Sequence, residues 1–487
     1  MFTIYFFLNF CYLKNKIDYI FKYILTIKMS PFSDEIFQDK NILSYILYYL
    51  CVTSSIHLRS VCRYLRDTPI NLRGHLILVH NCKKIITHKL NWFNMGIMPS
   101  TFNEILSLLK PLSFHTIDFS NCIGMPDISA LGQCESLHIL NLSKCSAIRD
   151  ISALEQYELL HTLNISYCSE LTDITVLGQC ASLHTLDLSM CTKLTDISIL
   201  GHCASLHTLD ISYSEVTDIS ALRQCASLHT FILNGCEGVT DVSALGQCTL
   251  LHILELSYCD NLTNVSGLGQ CASLHTLELN WCTSLITVSG LEQCATLHTL
   301  DLSEYNYIPD VSSLGQCASL HTLCLYECPI LNNISGLGQC ASLHTLDLRG
   351  CHDLTDISGL GQCTSLHTLD LRNCTGVTDV SGLGQCVSLH TLDLSKCDGL
   401  TNVSGLEKCA SLHTLNLRGC NALTDVYDLA QCASLHTLDL SQCHNLTDVS
   451  GLGQCASLHT LCLYYCENME DVSDLRQCSS LHTLNLR

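Results

Sequence analysis

The chain has 487 residues, 35 cysteines, 24 histidines and a formal net charge of −21 at pH 7. The charge is uneven, because residues 1–110 contain 13 Lys+Arg and 6 Asp+Glu, which leaves 11 basic and 39 acidic residues for the rest. Such an acidic surface repels the phosphates of nucleic acids and anionic membranes and favours a basic protein partner. The composition therefore predicts a protein that binds neither nucleic acid nor a membrane.

The first 28 residues form an apolar and aromatic N-terminal extension. They match a targeting signal only loosely, because no basic residue precedes the apolar run and no small-residue cleavage site is evident. The apolar run of residues 2–13 is too short to span a bilayer. Since Met29 could serve as an alternative start, we expect residues 1–28 to be dispensable or untranslated.

Residues 33–70 are predicted to form a small all-α head. Apolar side chains recur there at helical spacing in two amphipathic segments, residues 42–50 and 56–67, the second of which also contains several arginines. The positions expected to bind an adaptor or to pack the head are Ile42, Ile46, Leu50, Leu58 and Val61. An ordinary helical cap for the region that follows is the alternative interpretation.

Residues 71–113 are expected to be a linker and an N-terminal cap, and residues 114–487 form an array of about 16–17 repeats. The phrase Leu-His-Thr-Leu-Asp-Leu, or a close variant, recurs every 23 residues, except for one step of 22 from Leu206 to Leu228. A period this regular predicts stacked units that share one continuous core. The array therefore provides a long surface, and its function is expected to be recognition.

Each unit is predicted to contain one short strand. In the unit that begins at Leu366, Leu369 and Leu371 alternate with polar residues, which indicates a strand with one buried face. Val377, Val380 and Leu383 are expected to complete the core.

The second half of the same unit is predicted to form a short 3₁₀ or helical turn. Asp379 or Ser381 is its expected N-cap, and Gly384 is expected to let the chain turn back.

The repeated L-x-x-L-x-L-x-x-C pattern is typical of leucine-rich repeats. The T-D-V-S-G-L phrase resembles the short repeats of internalins, whereas Cys in the usual place of Asn resembles the repeats of F-box proteins. The resemblance implies an α/β solenoid with a parallel concave sheet and short 3₁₀ or helical convex segments. The segments ILSYILYYL and IHLRSVCRYLRD resemble the F-box itself, although Gln38 and Asp39 replace the family's Leu-Pro.

Most cysteines fall in two rows, eight and twenty residues after the start of each unit. Within a row every cysteine has two equivalent neighbours, so we expect buried free thiols without disulfides or a zinc site, and hence an intracellular, cytoplasmic or nuclear protein. A histidine follows the first residue of every unit; this column is expected to be structural or solvated. The repeated residues form no catalytic triad, so no enzyme activity, metal or cofactor is predicted.

The partner site is expected where the units differ from one another. Aromatic and arginine side chains dominate the energetics of interfaces, although drift between duplicated units is the alternative explanation. The predicted partner-binding residues are Tyr258, Trp281, Glu255, Glu278, Tyr326, Arg349 and Arg372.

Two functions remain open from the sequence. The resemblance to F-box and leucine-rich-repeat proteins implies a substrate receptor of a ubiquitin ligase, whose head binds a Skp-type adaptor and cullin complex while the array holds the target protein. The alternative is an interaction scaffold without a ubiquitin-ligase role, of which an extracellular adhesin is a variant.

Overall fold

The structure, a computed structural model, describes residues 115–125, 128–129, 131, 136–305, 307–469 and 472–486. The extension 1–28, the head 33–70 with its five adaptor positions, and the cap 71–113 lie outside these residues. No helix in the part of the chain that the structure describes is long and apolar enough to cross a membrane.

The described residues form one parallel sheet of 17 strands, each three residues long. Every strand pairs with the next one along the chain, and equivalent residues face each other, as in Leu346 opposite Leu369. The register survives the 22-residue step, because Thr208 still lies opposite Thr230. The strands are β1 Thr116–Asp118, β2 Ile139–Asn141, β3 Thr162–Asn164, β4 Thr185–Asp187, β5 Thr208–Asp210, β6 Thr230–Ile232, β7 Ile253–Glu255, β8 Thr276–Glu278, β9 Thr299–Asp301, β10 Thr322–Cys324, β11 Thr345–Asp347, β12 Thr368–Asp370, β13 Thr391–Asp393, β14 Thr414–Asn416, β15 Thr437–Asp439, β16 Thr460–Cys462 and β17 Thr483–Asn485.

Short 3₁₀ helices form the other side of the stack. They pack on their neighbours one unit away, as the strands do. Their bounds are Ser152–Gln156, Thr175–Gln179, Ser198–His202, Ser220–Gln224, Ser243–Gln247, Ser266–Gln270, Leu291–Gln293, Ser312–Gln316, Ser335–Gln339, Ser358–Gln362, Ser381–Gln385, Leu406–Lys408, Tyr427–Gln431, Ser450–Gln454 and Ser473–Gln477. The predicted solenoid of parallel strands and 3₁₀ turns is confirmed.

The core lies between the sheet and the 3₁₀ helices. The six apolar positions predicted for the unit at Leu366 are fully buried, and Cys374 and Cys386 join them. Each buried aliphatic side chain contributes about 1.5–3 kcal/mol before chain entropy is subtracted. The continuous core therefore accounts for the cohesion of the described units.

Both the start of the 3₁₀ helix and the reversal of the chain differ from the prediction. The N-cap residue is Val380 and neither Asp379 nor Ser381; Oδ1 of Asp379 instead accepts a hydrogen bond of 2.8 Å from the backbone amide of Ser381, the first residue of the helix. Gly384 does not have a positive φ. A Cβ at this residue would lie 2.7 Å from the carbonyl oxygen of Gly405, so Gly384 is needed for the close approach of two units.

The cysteine rows are hydrogen-bonded ladders as well as apolar filling. The thiols of Cys374 and Cys386 donate to the carbonyl oxygens of Leu348 and Leu360, 3.0 and 3.1 Å away in the preceding unit. Tyr305 stands in the place of a cysteine, and its hydroxyl donates to the equivalent carbonyl of its own preceding unit. The expected burial of both rows is confirmed for nearly all their described members, and the structure adds a polar reason for the residue type.

Candidate functional site on the exposed face of the sheet

The exposed face of the sheet carries a row of carboxylates at the last residue of the strands. We call this the acidic row: Asp187, Asp210, Glu255, Glu278, Asp301, Asp347, Asp370, Asp393 and Asp439. Parallel in-register pairing brings these residues onto adjacent strands, as in Glu255 opposite Glu278 and Glu278 opposite Asp301. Since neighbouring strands lie about 4.8 Å apart, each run of acids forms a line of negative charge.

The backbone enters the left-handed region three residues beyond the end of each strand. The φ angle is 60° at Asn373, 61° at Tyr258 and 63° at Trp281. Glycine and asparagine tolerate this conformation, whereas another L-residue loses about 1–2 kcal/mol there. Gly235, Gly350 and Gly419 occupy the same position in other units.

Several units nevertheless place a large aromatic residue at this position. We call Tyr167, Tyr213, Tyr258 and Trp281 the aromatic row; their side chains are 46%, 43%, 45% and 39% exposed. A strained backbone that carries an exposed aromatic side chain is not explained by stability of the fold. Tyr465 shares this position after β16, but among the described residues Tyr258 and Trp281 are the only two aromatic residues that occupy it in adjacent units.

Contacts between units order the aromatic row. The rings of Tyr258 and Trp281 stack with centroids 5.9 Å apart and planes 11° apart. The Tyr213 ring lies so close to Gly235 that a Cβ there would be 2.5 Å from it. The ammonium of Lys144 lies 5.4 Å from the centroid of the Tyr167 ring. The row is therefore a packed apolar strip beside the carboxylates.

Glu255, Glu278 and Asp301 form an acidic run without a cation. Among the described residues, no lysine or arginine forms an ion pair with any of the three. Burial, together with the charges of Glu255 and Asp301, raises the pKa of Glu278. The amide of Asn234 donates a hydrogen bond of 3.1 Å to Glu255. The run therefore holds like charges close together with little compensation.

The run at Asp347, Asp370 and Asp393 is compensated by two arginines. Arg349 donates from Nε to both carboxylate oxygens of Asp347 at 2.8 Å, and its Nε lies 3.7 Å from Asp370. Arg372 makes the same arrangement one unit further on, with Asp370 and Asp393.

An aromatic ring completes the arginine site. The guanidinium carbon of Arg349 lies 5.1 Å from the centroid of the Tyr326 ring. The hydrogen bonds to Asp347 are the main reason that the pKa of this guanidinium is raised above its usual value. This part of the face shows how the repeat geometry holds a guanidinium.

The structure thus divides the predicted partner-binding residues into two groups. Glu255, Tyr258, Glu278 and Trp281 lie together on adjacent units, and their binding role stays a prediction. Tyr326, Arg349 and Arg372 lie two to four units further on, where both arginines already bind the chain's own carboxylates.

The sequence analysis did not single out Tyr167 and Tyr213 of the aromatic row, nor most of the acidic row, including Asp301 beside Glu278. A signal for the tyrosines exists, because they align with Gly235 and Asn373 at a fixed position of the repeat. For Asp301, the signal would have been its in-register place beside Glu278.

The histidines form a stacked column at the other end of the strands. From His161 to His482, ring centroids of neighbouring units are 4.1–4.9 Å apart, and most Nδ1 atoms contact the hydroxyl of the following threonine, as in His367 and Thr368. Burial, followed by neighbouring imidazoles, lowers the pKa of His229 and His275. In the part of the chain that the structure describes, no group of three His, Cys, Asp or Glu side chains could hold a metal ion.

Most thiols of the cysteine ladders have raised pKa values; the exceptions are Cys122 and Cys282, whose pKa is lowered mainly by a hydrogen bond to a neighbouring thiol. Burial raises the pKa of Cys374 and of Cys386 to about 12. Since the thiolate is the nucleophile, such thiols are unreactive near neutral pH.

Family models match the repeats. The model described as "BspA type Leucine rich repeat region (6 copies)" matches residues 113–240, and "Leucine Rich repeats (2 copies)" matches residues 341–385 and 387–431. No F-box domain is detected. No curated protein matches the chain.

Solved structures share the fold at low sequence identity. A leucine-rich-repeat protein of Leptospira interrogans has a TM-score of 0.59 at 19% identity, over 81% of this chain and 94% of that one. The functional domain of InlJ from Listeria monocytogenes, which includes a cysteine ladder, has a TM-score of 0.52 at 19% identity, over 74% of each chain. The TLR13–ssRNA13 complex has a TM-score of 0.61 at 20% identity, over 82% of this chain and 60% of that one. The chain therefore carries leucine-rich repeats, and its described part folds as a leucine-rich-repeat solenoid.

Proposed function

We propose that the protein is a non-catalytic recognition scaffold that binds a protein partner on the exposed face of its sheet. The observation that carries the proposal is the aromatic row. Tyr258 and Trp281 have left-handed backbone, a conformation that costs less free energy for glycine or asparagine, which other units have at this position as Gly235 and Asn373. Both aromatic side chains are about two-fifths exposed. Exposed aromatic side chains that are costly to the fold are typical anchors of interfaces.

The charge of the same face supports a protein partner over a nucleic acid. The acidic row crosses successive strands at their last residue, and the aromatic row lies three residues further along the chain. The whole chain has a net charge of −21. Phosphate groups would be repelled, whereas a basic protein surface would be attracted and steered.

Capture of the partner by the purified full chain tests the proposal. We expect Tyr258→Gly with Trp281→Gly to weaken capture by a few kcal/mol, as the loss of interface anchors does. The melting temperature should change little, because relief of backbone strain offsets the lost stacking. The matched control is Tyr307→Ala with Tyr427→Ala, which removes two exposed tyrosines outside the strands. Equal capture by both pairs of variants would refute the proposed surface.

The finer proposal is a substrate receptor of a Skp–cullin–F-box ubiquitin ligase in the cytoplasm or nucleus. Its support is the F-box-like sequence of residues 33–70, together with the buried free thiols of the array, which suit a reducing compartment. The interaction scaffold without this head function has the broader support. Leu50→Asp should abolish pull-down of a Skp-type adaptor and leave the melting of the array unchanged. Failure of the wild-type chain to bind any such adaptor would reject the ligase proposal.

A further inference from the structure

The chain contains its own example of a bound guanidinium on the exposed face of the sheet. Arg349 lies two residues beyond Asp347, donates hydrogen bonds to both of its carboxylate oxygens, and lies 3.7 Å from Asp370 on the next strand. Arg372 repeats this geometry with Asp370 and Asp393. Two successive acids of the acidic row therefore make one arginine site, and the pattern repeats with the period of the strands.

The presence of carboxylates decides where such an arginine points. Arg418 occupies the same position in a later unit, two residues beyond Asn416 instead of an aspartate. Its Nε donates to Gln442 at 3.2 Å, and no ion pair of this residue exists in the described part of the chain. The site is thus a property of the acid pair and not of the arginine alone.

The run Glu255, Glu278 and Asp301 has carboxylates at the same strand positions, two of them glutamates instead of aspartates, but no arginine. The residues that correspond to Arg349 are Ser257 and Asn280, which are small and neutral and are hydrogen-bonded to each other. Two equivalent arginine sites, between Glu255 and Glu278 and between Glu278 and Asp301, therefore lack an internal cation.

Aromatic side chains stand at the edge of these two sites. Tyr258 and Trp281 directly follow Ser257 and Asn280, and they stack on each other. A guanidinium is planar and packs on aromatic faces, as Arg349 does with Tyr326. The open sites thus have aromatic rings beside them, as the occupied site of Arg349 has.

We propose that the exposed face of β7 to β9 binds an arginine-containing, basic segment of the protein partner. One guanidinium lies between Glu278 and Asp301, a second can lie between Glu255 and Glu278, and the stacked rings of Tyr258 and Trp281 flank the segment. This inference rests on the proposed function and names the chemistry of the partner. Charge complementarity selects the occupant, because the partner supplies the cations that Arg349 and Arg372 supply elsewhere on the same face.

Fluorescence anisotropy with defined peptides tests the inference on the full chain. The probes are a labelled peptide of alternating Arg and Gly, the same peptide with Lys, and the same peptide with Glu. The wild-type chain should bind the Arg peptide, bind the Lys peptide several-fold more weakly because Lys cannot bind two acids as a planar fork, and not bind the Glu peptide. Equal affinity for Arg and Lys peptides would reduce the effect to net charge and overturn the proposal.

Two variants address the open sites directly. Glu255→Gln with Glu278→Gln should weaken the Arg peptide by about tenfold or more, as the loss of charge-assisted hydrogen bonds implies. Asn280→Arg should have a similar effect, because it fills the site from within the chain as Arg349 does. The matched control is Glu158→Gln with Glu237→Gln, which removes the same charge at exposed positions outside the strands. Equal weakening by the control pair would overturn the proposal.

The test also separates this inference from the proposed function. The wild-type chain could fail to bind the Arg peptide while Tyr258→Gly with Trp281→Gly still removes partner capture. That outcome would support the recognition scaffold and refute the proposed arginine site. If neither effect occurs, both fail.

Discussion

Two runs of carboxylates on one face of one sheet differ in what compensates them. At Asp347, Asp370 and Asp393 the chain provides Arg349 and Arg372, which compensate two of the three negative charges. At Glu255, Glu278 and Asp301 the described residues provide no cation, and burial and like charges raise the pKa of Glu278. Because the backbone geometry is the same, the difference lies in a few side chains. In this repeat protein, the candidate site is therefore marked by side chains that differ from those at the equivalent positions of other units.

Removal of the internal arginines should create the largest change, because it converts the occupied run into an open one. We expect Arg349→Ala with Arg372→Ala to add about one bound Arg peptide per chain, since the freed run Asp347, Asp370 and Asp393 then offers two open acid pairs to one peptide, as the run at Glu278 does. Isothermal titration calorimetry measures this stoichiometry. An unchanged stoichiometry would show that the two runs are not equivalent.

The cost of aromatic side chains at the left-handed position can be measured in the compensated region. Asn373→Tyr should lower the free energy of unfolding by about 1 kcal/mol, because tyrosine tolerates a φ of 60° less well than asparagine. Denaturant unfolding gives the value, and Thr375→Tyr, at an exposed position of the same loop, is the control. An equal effect at both positions would remove the argument from backbone strain.

Neutralisation of the open run should stabilise the chain slightly. The pKa of Glu278 is raised in the folded state, so its stabilising contribution is complete below the unfolded pKa of about 4.3 and is lost as the pH rises through the folded pKa. Glu278→Gln should therefore raise stability by about 0.5 kcal/mol at pH 7, with solvent screening limiting the gain. The gain should vanish near pH 4. A variant that melts lower than wild type at pH 7 would contradict this account.

The histidine column should give a smaller effect for each residue, in the opposite pH direction. The pKa values of His207, His275 and His344 are lowered first by burial and only second by neighbouring imidazoles, so mutual repulsion is the lesser cause. A group with a lowered pKa stabilises the fold fully above the unfolded pKa of about 6.5, and this contribution is lost as the pH falls through the folded pKa. The melting temperature should fall between about pH 6.5 and 5. His321→Gln with His344→Gln should reduce the slope, and an unchanged slope would refute the link.

The fold of the repeat array could be predicted almost completely from the sequence because the period fixes it, whereas the predicted helical head lies outside the described residues. Leu369 and Leu371 alternate, Val380 and Leu383 follow at the turn, and all four are buried in the structure. The role of Gly384 could not be predicted, because the close approach that requires it is made by Gly405 of the next unit.

The candidate site was predictable only in part. Tyr258 and Trp281 differ visibly from their counterparts in other units, so the sequence pointed to them. The hydrogen bonds of Arg349 to Asp347 and its ion pair with Asp370 were not predicted. The ion pair joins two strands, and such a contact cannot be recognised from the residues of one repeat alone. The left-handed backbone conformation of Trp281 is set by the loop and not by the residue type. The only indication of it in the sequence was glycine at the equivalent position of other units.

Site-specific crosslinking tests the central claim most directly. A photoreactive benzoylphenylalanine is placed at position 280, in the open run, or at position 373, beside the compensated run with both arginines retained, and the full chain is irradiated in cells that express it. We predict that the partner is crosslinked from position 280, that the crosslink disappears when Glu255→Gln and Glu278→Gln are added, and that position 373 gives none. Crosslinking of the same partner from position 373 alone would contradict the claim that the open carboxylates and the stacked aromatic side chains form the recognition surface.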